Sequence, residues 1–328
     1  MSSTPVWTAR LVATTESILT WRARRKARKK IRQQKKHVIV DWIEAFLWAA
    51  GVVLLINQYL LQAYRIPTGS MIETLLLEDR IFVNKMVYGP ELLPGIGKLP
   101  GFVEPKRGEV VIFENPSYIS RGPVFNIVQR VLYMVTLSLV DIDRDESGEP
   151  RAHFLIKRAV GFGGDRIRSR DGDLQIRPIG QAEWLTEQEF ARQTDTPFPI
   201  RRMITASDYA SYRPAAQEAA REILGLAATT DGRAAQRAVQ APGSIDPFEF
   251  DRLRSEFLLK ANPSDERTVV RHSFYELGWY VPPNTVLTLG DNRDNSRDGR
   301  YYGPVRMDRV LGRAMFRYWP LPRVGAIR

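Results

Sequence analysis

The feature that most restricts this chain is the run VIVDWIEAFLWAAGVVLLINQYLLQA, Val38 to Ala63. Its centre, Ala45 to Ile56, holds only apolar residues and one glycine. A helix needs about 20 predominantly apolar residues to cross a bilayer, and Trp42, Trp48, Tyr59 and Tyr64 supply aromatic rings suited to the two interfaces. Residues 1–41 carry eleven lysines and arginines, Arg22 to Lys30 the densest stretch, against Glu16 and Asp41. Most of the formal charge of +11 therefore stands just before the run, and the rest of the chain is nearly neutral. Basic residues flanking a span stay on the cytoplasmic side. The run thus predicts a basic cytoplasmic segment over 1–37, a transmembrane helix over 38–63 and an extracytoplasmic body over 64–328. A buried core helix is the competing reading, which the adjoining basic run disfavours. No Ala-x-Ala site follows the run, so it reads as a retained anchor and not a cleaved leader. A nucleic-acid arm is another use of such charge, but no base-reading motif spacing accompanies it.

Past the run the pattern changes to short strands. β-branched and aromatic residues cluster between turn signals in Arg80–Gly89, Arg107–Pro116, Ala152–Gly161, Asp165–Pro178 and Asn284–Asp291. Asp171-Gly172-Asp173 predicts a hairpin turn inside the fourth, and the Pro- and Gly-rich stretch Tyr88–Arg107 predicts a long loop. Phe125–Val140 is too short, and too polar at Gln129 and Arg130, to span a bilayer. It reads as a strand or helix lying against the body or the bilayer surface. Between about 180 and 280 the chain turns rich in Ala, Glu, Arg and Gln, with helical stretches at Ser211–Gly225 and Pro247–Lys260. This predicts a partly helical insertion between two strands of the β body. The chain has no cysteine, which excludes disulfides, thiolate metal sites and a cysteine nucleophile.

Three separated pieces carry candidate chemistry. In RIPTGSMIETL, Arg65 to Leu75, Ser70 and Glu73 have the spacing of a capping box. The same serine is a nucleophile if a base takes its proton. The histidines are His37, His153 and His272; His37 precedes the span, and Ser70 lacks the Gly-x-Ser-x-Gly elbow. Lysine is the alternative base and works only where burial keeps its amine neutral. Lys157 stands inside the apolar stretch HFLIKRAVG, either pointing to solvent or buried. The third piece is GDNRDNSRDGRYYGPV, Gly290 to Val305. It reads as surface Asx turns, as a calcium loop counted from Asp294, or as a brace in which Ser296 orients a lysine. The calcium count fails at its twelfth position, where Val305 replaces the required Glu.

Behind an N-terminal anchor, IPTGSM, IKRAVGFGGD and GDNRDNSRDGRYYGPV, with RGEVVIFENP between the first two, resemble the motif boxes of type I signal peptidases. The resemblance implies a mainly β, signal-peptidase-like catalytic domain with an α-containing insertion, preceded by one N-terminal transmembrane helix. It also implies a membrane-anchored serine endopeptidase that removes N-terminal signal peptides after small residues, at Ala-x-Ala sites, through a Ser–Lys dyad and an acyl-enzyme. Carried over by position, Ser70 is the nucleophile and Lys157 the general base, with Ser296 orienting the lysine amine. The Ser70 N–H and the Thr68 hydroxyl form the oxyanion hole; Thr68 stands where many relatives carry Ser, and Gly163 where proline is usual. Asp291 pairs with Arg158 and Asp298 with Arg300. Tyr64, Ile66, Pro67, Met71, Leu155 and Ile156 line pockets that admit small side chains. The implied partners are signal peptides of secretory preproteins, membrane lipid and, transiently, the export machinery, with no metal, cofactor or nucleic acid. The implied location is the inner (cytoplasmic) membrane, single-pass, with a cytoplasmic N-terminus and the catalytic domain on the periplasmic side.

Overall fold

The computed structural model describes residues 14–17, 19–26, 38–93, 96–136, 139–145, 148, 151–170, 172–196, 199–204, 207–239 and 246–327. Most of the basic arm, His37 and the hairpin residue Asp171 therefore lie outside the described residues. The chain divides into two units, residues 1–53 and 54–328, with the division inside helix α1 (Val38–Tyr59). Among the described residues, α1 is the one helix long and apolar enough to cross a membrane, and none of its apolar stretch is buried in the protein. It ends earlier than the expected 38–63, because side-chain amides at its last turn find partners in the body. Asn57 Nδ2 donates to Met134 O (3.4 Å), Gln58 Nε2 to Glu91 O (2.9 Å), and the Tyr59 hydroxyl to Leu92 O (2.8 Å). Polar groups so satisfied belong beside protein, not in hydrocarbon, and Leu61–Ala63 open the first strand instead.

The body is built on antiparallel pairing. Its strands are β1 (Leu61–Arg65), β2 (Arg80–Asn84), β3 (Glu91–Leu93), β4 (Ile96–Lys98), β5 (Val110–Glu114), β6 (Phe154–Phe162), β7 (Arg166–Arg170), β8 (Asp173–Arg177), β9 (Leu185–Thr186), β10 (Trp279–Tyr280), β11 (Thr285–Leu289), β12 (Val305–Arg306), β13 (Val310–Trp319) and β14 (Gly325–Ala326). Among the described residues, an eight-stranded sheet runs β1-β2-β13-β5-β6-β11-β12, with β14 on β13. Register shifts in β13 between Val310 and Gly312 and between Ala314 and Phe316 bend it. One apolar cluster, including Tyr64, Ile66, Met71, Leu75, Ile81 and Ile112, closes the sheet near the β1 edge. A second cluster, including Val160, Ile167, Ile176, Phe190 and Leu287, joins it to a smaller sheet of order β10-β7-β8-β9.

The expected strands are present, each shorter than the apolar run that suggested it. The hairpin β7–β8 turns at Gly172, whose φ of 78° is one that side-chain-bearing residues avoid. The supposed loop Tyr88–Arg107 contains the β3–β4 hairpin. Phe125–Val140 resolves as helix α2 (Pro123–Val135), inserted between β5 and β6. After β8 the stretch of about 180–280 holds β9 and helices α3 (Glu187–Gln193), α4 (Tyr209–Ile223), α5 (Thr230–Val239), α6 (Pro247–Ala261) and α7 (Glu266–Leu277) before β10 returns to β7.

Candidate active site

Ser70 sits where β1 runs out. Ile66 still pairs with the strand return through Asp79 O and Glu78 N–H, both at 2.9 Å. Thr68 is extended and exposed, and Gly69–Met71 then form one tight turn. No capping box forms between Ser70 and Glu73. Glu73 adopts φ 98°, so no helix continues, and its carboxylate lies 3.6 Å from Arg201. Ser70 is 8% exposed.

Lys157 lies in the interior of β6, paired with Val111 of β5, and is 4% exposed. Its Nζ is 2.7 Å from Ser70 Oγ and also donates to Ile156 O at 3.0 Å. Burial pulls the Lys157 ammonium down from 10.5 to about 8, against the opposing pull of the Asp298 and Asp291 carboxylates. An amine with that affinity is neutral in an appreciable fraction of molecules near neutral pH. The Thr68 hydroxyl lies 3.4 Å from Ser70 Oγ. Neither described histidine is hydrogen-bonded to Ser70: His153 pairs with Asp143 (2.7 Å) and His272 with the Ser255 hydroxyl (3.2 Å).

The loop after β11 closes over this pair because Leu289 is in register with Arg158, one residue from Lys157. Asp291 takes the Arg158 guanidinium in a fork, at 2.8 and 2.7 Å, and Thr74 Oγ1 donates to the same carboxylate at 2.5 Å. Asp298 accepts from Arg300 Nε (2.9 Å) and from the Gly290 N–H (3.0 Å). Burial works to raise the Asp298 carboxyl, but the Arg300 guanidinium and the Gly290 N–H outweigh it, so its pKa lies below the usual range. A Cβ at Gly290 would fall 2.1 Å from Ser296 Oγ and 2.6 Å from Ser70 O, so only glycine lets the loop press onto the serine turn. Ser296 is thus near Ser70, but the expected bond to Lys157 is not formed. Its buried hydroxyl has no hydrogen-bond partner among the described residues, while Lys157 Nζ bonds to Ser70 Oγ and Ile156 O.

Of the residues expected to line pockets, Tyr64, Ile66 and Met71 belong to one buried cluster, against which Ile156 packs. Pro67 is exposed and, with Tyr64, borders a cavity of about 350 Å³. Leu155 is not brought to them; it packs with the cluster of Tyr88, Val111 and Phe113.

Sequence reasoning missed the residues that hold the serine turn itself. The Asn292 N–H donates to Ser70 O and its side chain to Gly69 O, each at 3.1 Å. Buried Arg293 reaches Gly290 O and Glu187, at the start of α3. Asp294 accepts from Arg202 Nε (2.8 Å) and the Ile204 N–H (2.9 Å). These residues stood in view within GDNRDNSRDG, but their partners lie far off in the chain, on the Ser70 turn for Asn292 and in the insertion for Arg293 and Asp294. Among the described residues, no three His, Asp or Glu side chains converge as a metal site.

Comparison with known proteins points the same way. The chain is 26% identical over 289 residues to a protein named signal peptidase I from Aquifex aeolicus, covering 84% of this chain and 82% of the relative. It is 24% identical over 303 residues to signal peptidase I of Pseudomonas fluorescens, covering 88% of this chain and 76% of the relative. A probable signal peptidase I-2 of Synechocystis is 47% identical over a shorter match of 64 residues, 19% of this chain and 29% of the relative. The family profile described as "Signal peptidase, peptidase S26" matches residues 39–319. With that match spanning the apolar helix and nearly all of the β body, the chain belongs to the signal peptidases of peptidase family S26, which are serine peptidases.

Proposed function

We propose that this chain is a membrane-anchored endopeptidase that cleaves signal peptides from exported preproteins after Ala-x-Ala sites, using Ser70 and Lys157 as a dyad. The observation that carries the reading is the 2.7 Å contact between a buried lysine of lowered pKa and a serine hydroxyl. Neutral Lys157 takes the Ser70 proton as Oγ attacks the scissile carbonyl, and a serine without such a base is a poor nucleophile. The oxyanion of the tetrahedral intermediate is met by the Ser70 N–H and the Thr68 hydroxyl, donors fixed before charge develops. The lysine then passes its proton to the leaving amine, giving an ester between Ser70 and the signal peptide. A water deprotonated by the same amine attacks that ester, and the proton returns to Ser70 as the peptide leaves.

The Arg158–Asp291 and Arg300–Asp298 pairs act one step back, by holding the loop that presses on the serine turn. Ser296, whose buried hydroxyl beside Gly290 has no hydrogen-bond partner among the described residues, is the candidate to orient the amine while it stays in contact with Ser70. On this proposal Ile66, Met71 and Ile156, which pack together in one apolar cluster, bound the pocket that admits Ala-sized side chains and excludes larger ones. In this reading residues 1–37 are cytoplasmic, α1 crosses the inner membrane, and the body meets lipid, preprotein and the export machinery outside.

The test is cleavage of a preprotein with a defined Ala-x-Ala site by the purified full chain. Ser70→Ala and Lys157→Met each reduce the rate by at least about a thousandfold, as removal of one member of a catalytic unit does. Retention of activity by either folded variant overturns the dyad.

A further inference from the structure

Helix α2 (Pro123–Val135) is amphipathic with the usual polarity reversed. Its polar side chains turn toward the body: Gln129 is buried and donates to Asp141 at 2.8 Å, and the Arg130 guanidinium lies 3.2 Å from Glu91 and 3.3 Å from Glu114. Its apolar side chains Val124, Ile127, Val128 and Val131, spaced i, i+3, i+4 and i+7, face outward with exposures of 74, 47, 52 and 37%. Leu139 and Val140 extend the patch beyond the helix. A surface helix of a water-soluble domain buries such a stripe and exposes the polar side. Single exposed apolar residues are ordinary, but a contiguous stripe marks a surface that something apolar covers.

What covers it follows from where α2 is fastened. Its last turn accepts, at Met134 O, the side-chain amide of Asn57, two residues before α1 ends. On that final stretch Leu55, Ile56 and Leu60 are exposed as well. The medium around the last apolar turn of α1 therefore also meets the end of α2. We infer that α2 lies in the membrane interface with its outward stripe among lipid acyl chains, a second bilayer contact of the body besides the span. The inference rests on the reading of α1 as a membrane span. The contact reaches the proposed substrate edge, because Tyr133 of α2 packs on Tyr64, ring centres 6.2 Å apart, and Tyr64 packs on Phe154 of β6 at 5.8 Å. Lipid thus sets the height of that edge above the bilayer.

Because the chain has no cysteine, one introduced thiol gives a uniquely placed fluorophore. Full-length Leu47→Cys, Ile127→Cys, Val128→Cys and Ile179→Cys, labelled and reconstituted in phosphatidylcholine–phosphatidylglycerol nanodiscs, are compared with a lipid-borne spin-label quencher and with aqueous iodide. Leu47 reports the span, and Ile179, 70% exposed on the body, reports water. The expected result is strong quenching by spin-labelled lipid at Leu47, Ile127 and Val128, with iodide quenching several-fold greater at Ile179 than at Ile127. Iodide quenching at Ile127 equal to that at Ile179, with Leu47 in lipid, overturns this inference and leaves the span standing. Shielding of Ile127 from both quenchers overturns it in favour of a protein cover, such as a second copy. If Leu47 itself escapes the lipid quencher, the span reading falls and this inference with it.

Discussion

Lys157 matters because it is held where its charge is disfavoured. Its pKa in the folded chain, about 8, lies below the ordinary 10.5. Between those values the unfolded chain binds the extra proton, so this group's contribution to stability increases as pH rises through the window. At pH 7 the buried ammonium is a net cost to the fold. Lys157→Met, which fills the same space without charge, raises the midpoint of thermal unfolding at pH 7 by a few degrees in scanning calorimetry while abolishing cleavage. An unchanged or lowered midpoint contradicts the burial argument. The anomaly was legible in HFLIKRAVG, since a lysine amid apolar strand residues needs a reason. Asn292 was not legible: several Asp and Asn residues stand in GDNRDNSRDG, and only the folded register brings one amide onto the Ser70 turn. The capping-box reading of Ser70 and Glu73 failed for a similar reason, because spacing alone does not reveal that Glu73 leaves the helical region.

At the scale of elements, the stretch between about 180 and 280 showed in the sequence as a change of composition, without a role. Folded, it is a strap on the Gly290–Tyr302 loop. Residue Arg201 pairs its N–H with Asp291 O (2.8 Å) and accepts from the Arg293 N–H (3.1 Å), and Trp279 Nε1 donates to Arg300 O (3.1 Å). Glu187 opens α3 and meets Arg293, which is 2% exposed. Removing one partner of a buried pair leaves the other charge uncompensated. Glu187→Ala therefore costs about 3–5 kcal/mol of stability and lowers kcat, read from urea unfolding and cleavage assays on the same preparation. Unchanged stability contradicts the strap. Strand positions were legible from β-branched runs between turn signals. The apolar spacing of helix α2 is that of an amphipathic helix, but periodicity alone does not tell which of its faces packs on the body.

At the scale of the whole molecule, motif order and topology agree. The apolar run precedes the β body, and β6 brings Lys157 to a serine 87 residues earlier in the chain. Spacing in the sequence could not show that distance collapsing to 2.7 Å, since it depends on β1, β6 and β11 sharing one curved sheet. The central claim is that the base is a lysine whose pKa is lowered by burial toward the working pH. The most direct test is the pH dependence of kcat/KM for the full chain in lipid nanodiscs, acting on a preprotein with an Ala-x-Ala site. The base acts only when deprotonated, so activity is lost as pH falls through its folded-state pKa. The account predicts a rise with one apparent pKa near 8 and a plateau above it. A profile flat from acid to alkaline pH, or one rising with a midpoint near the ordinary histidine value of about 6.5, contradicts it.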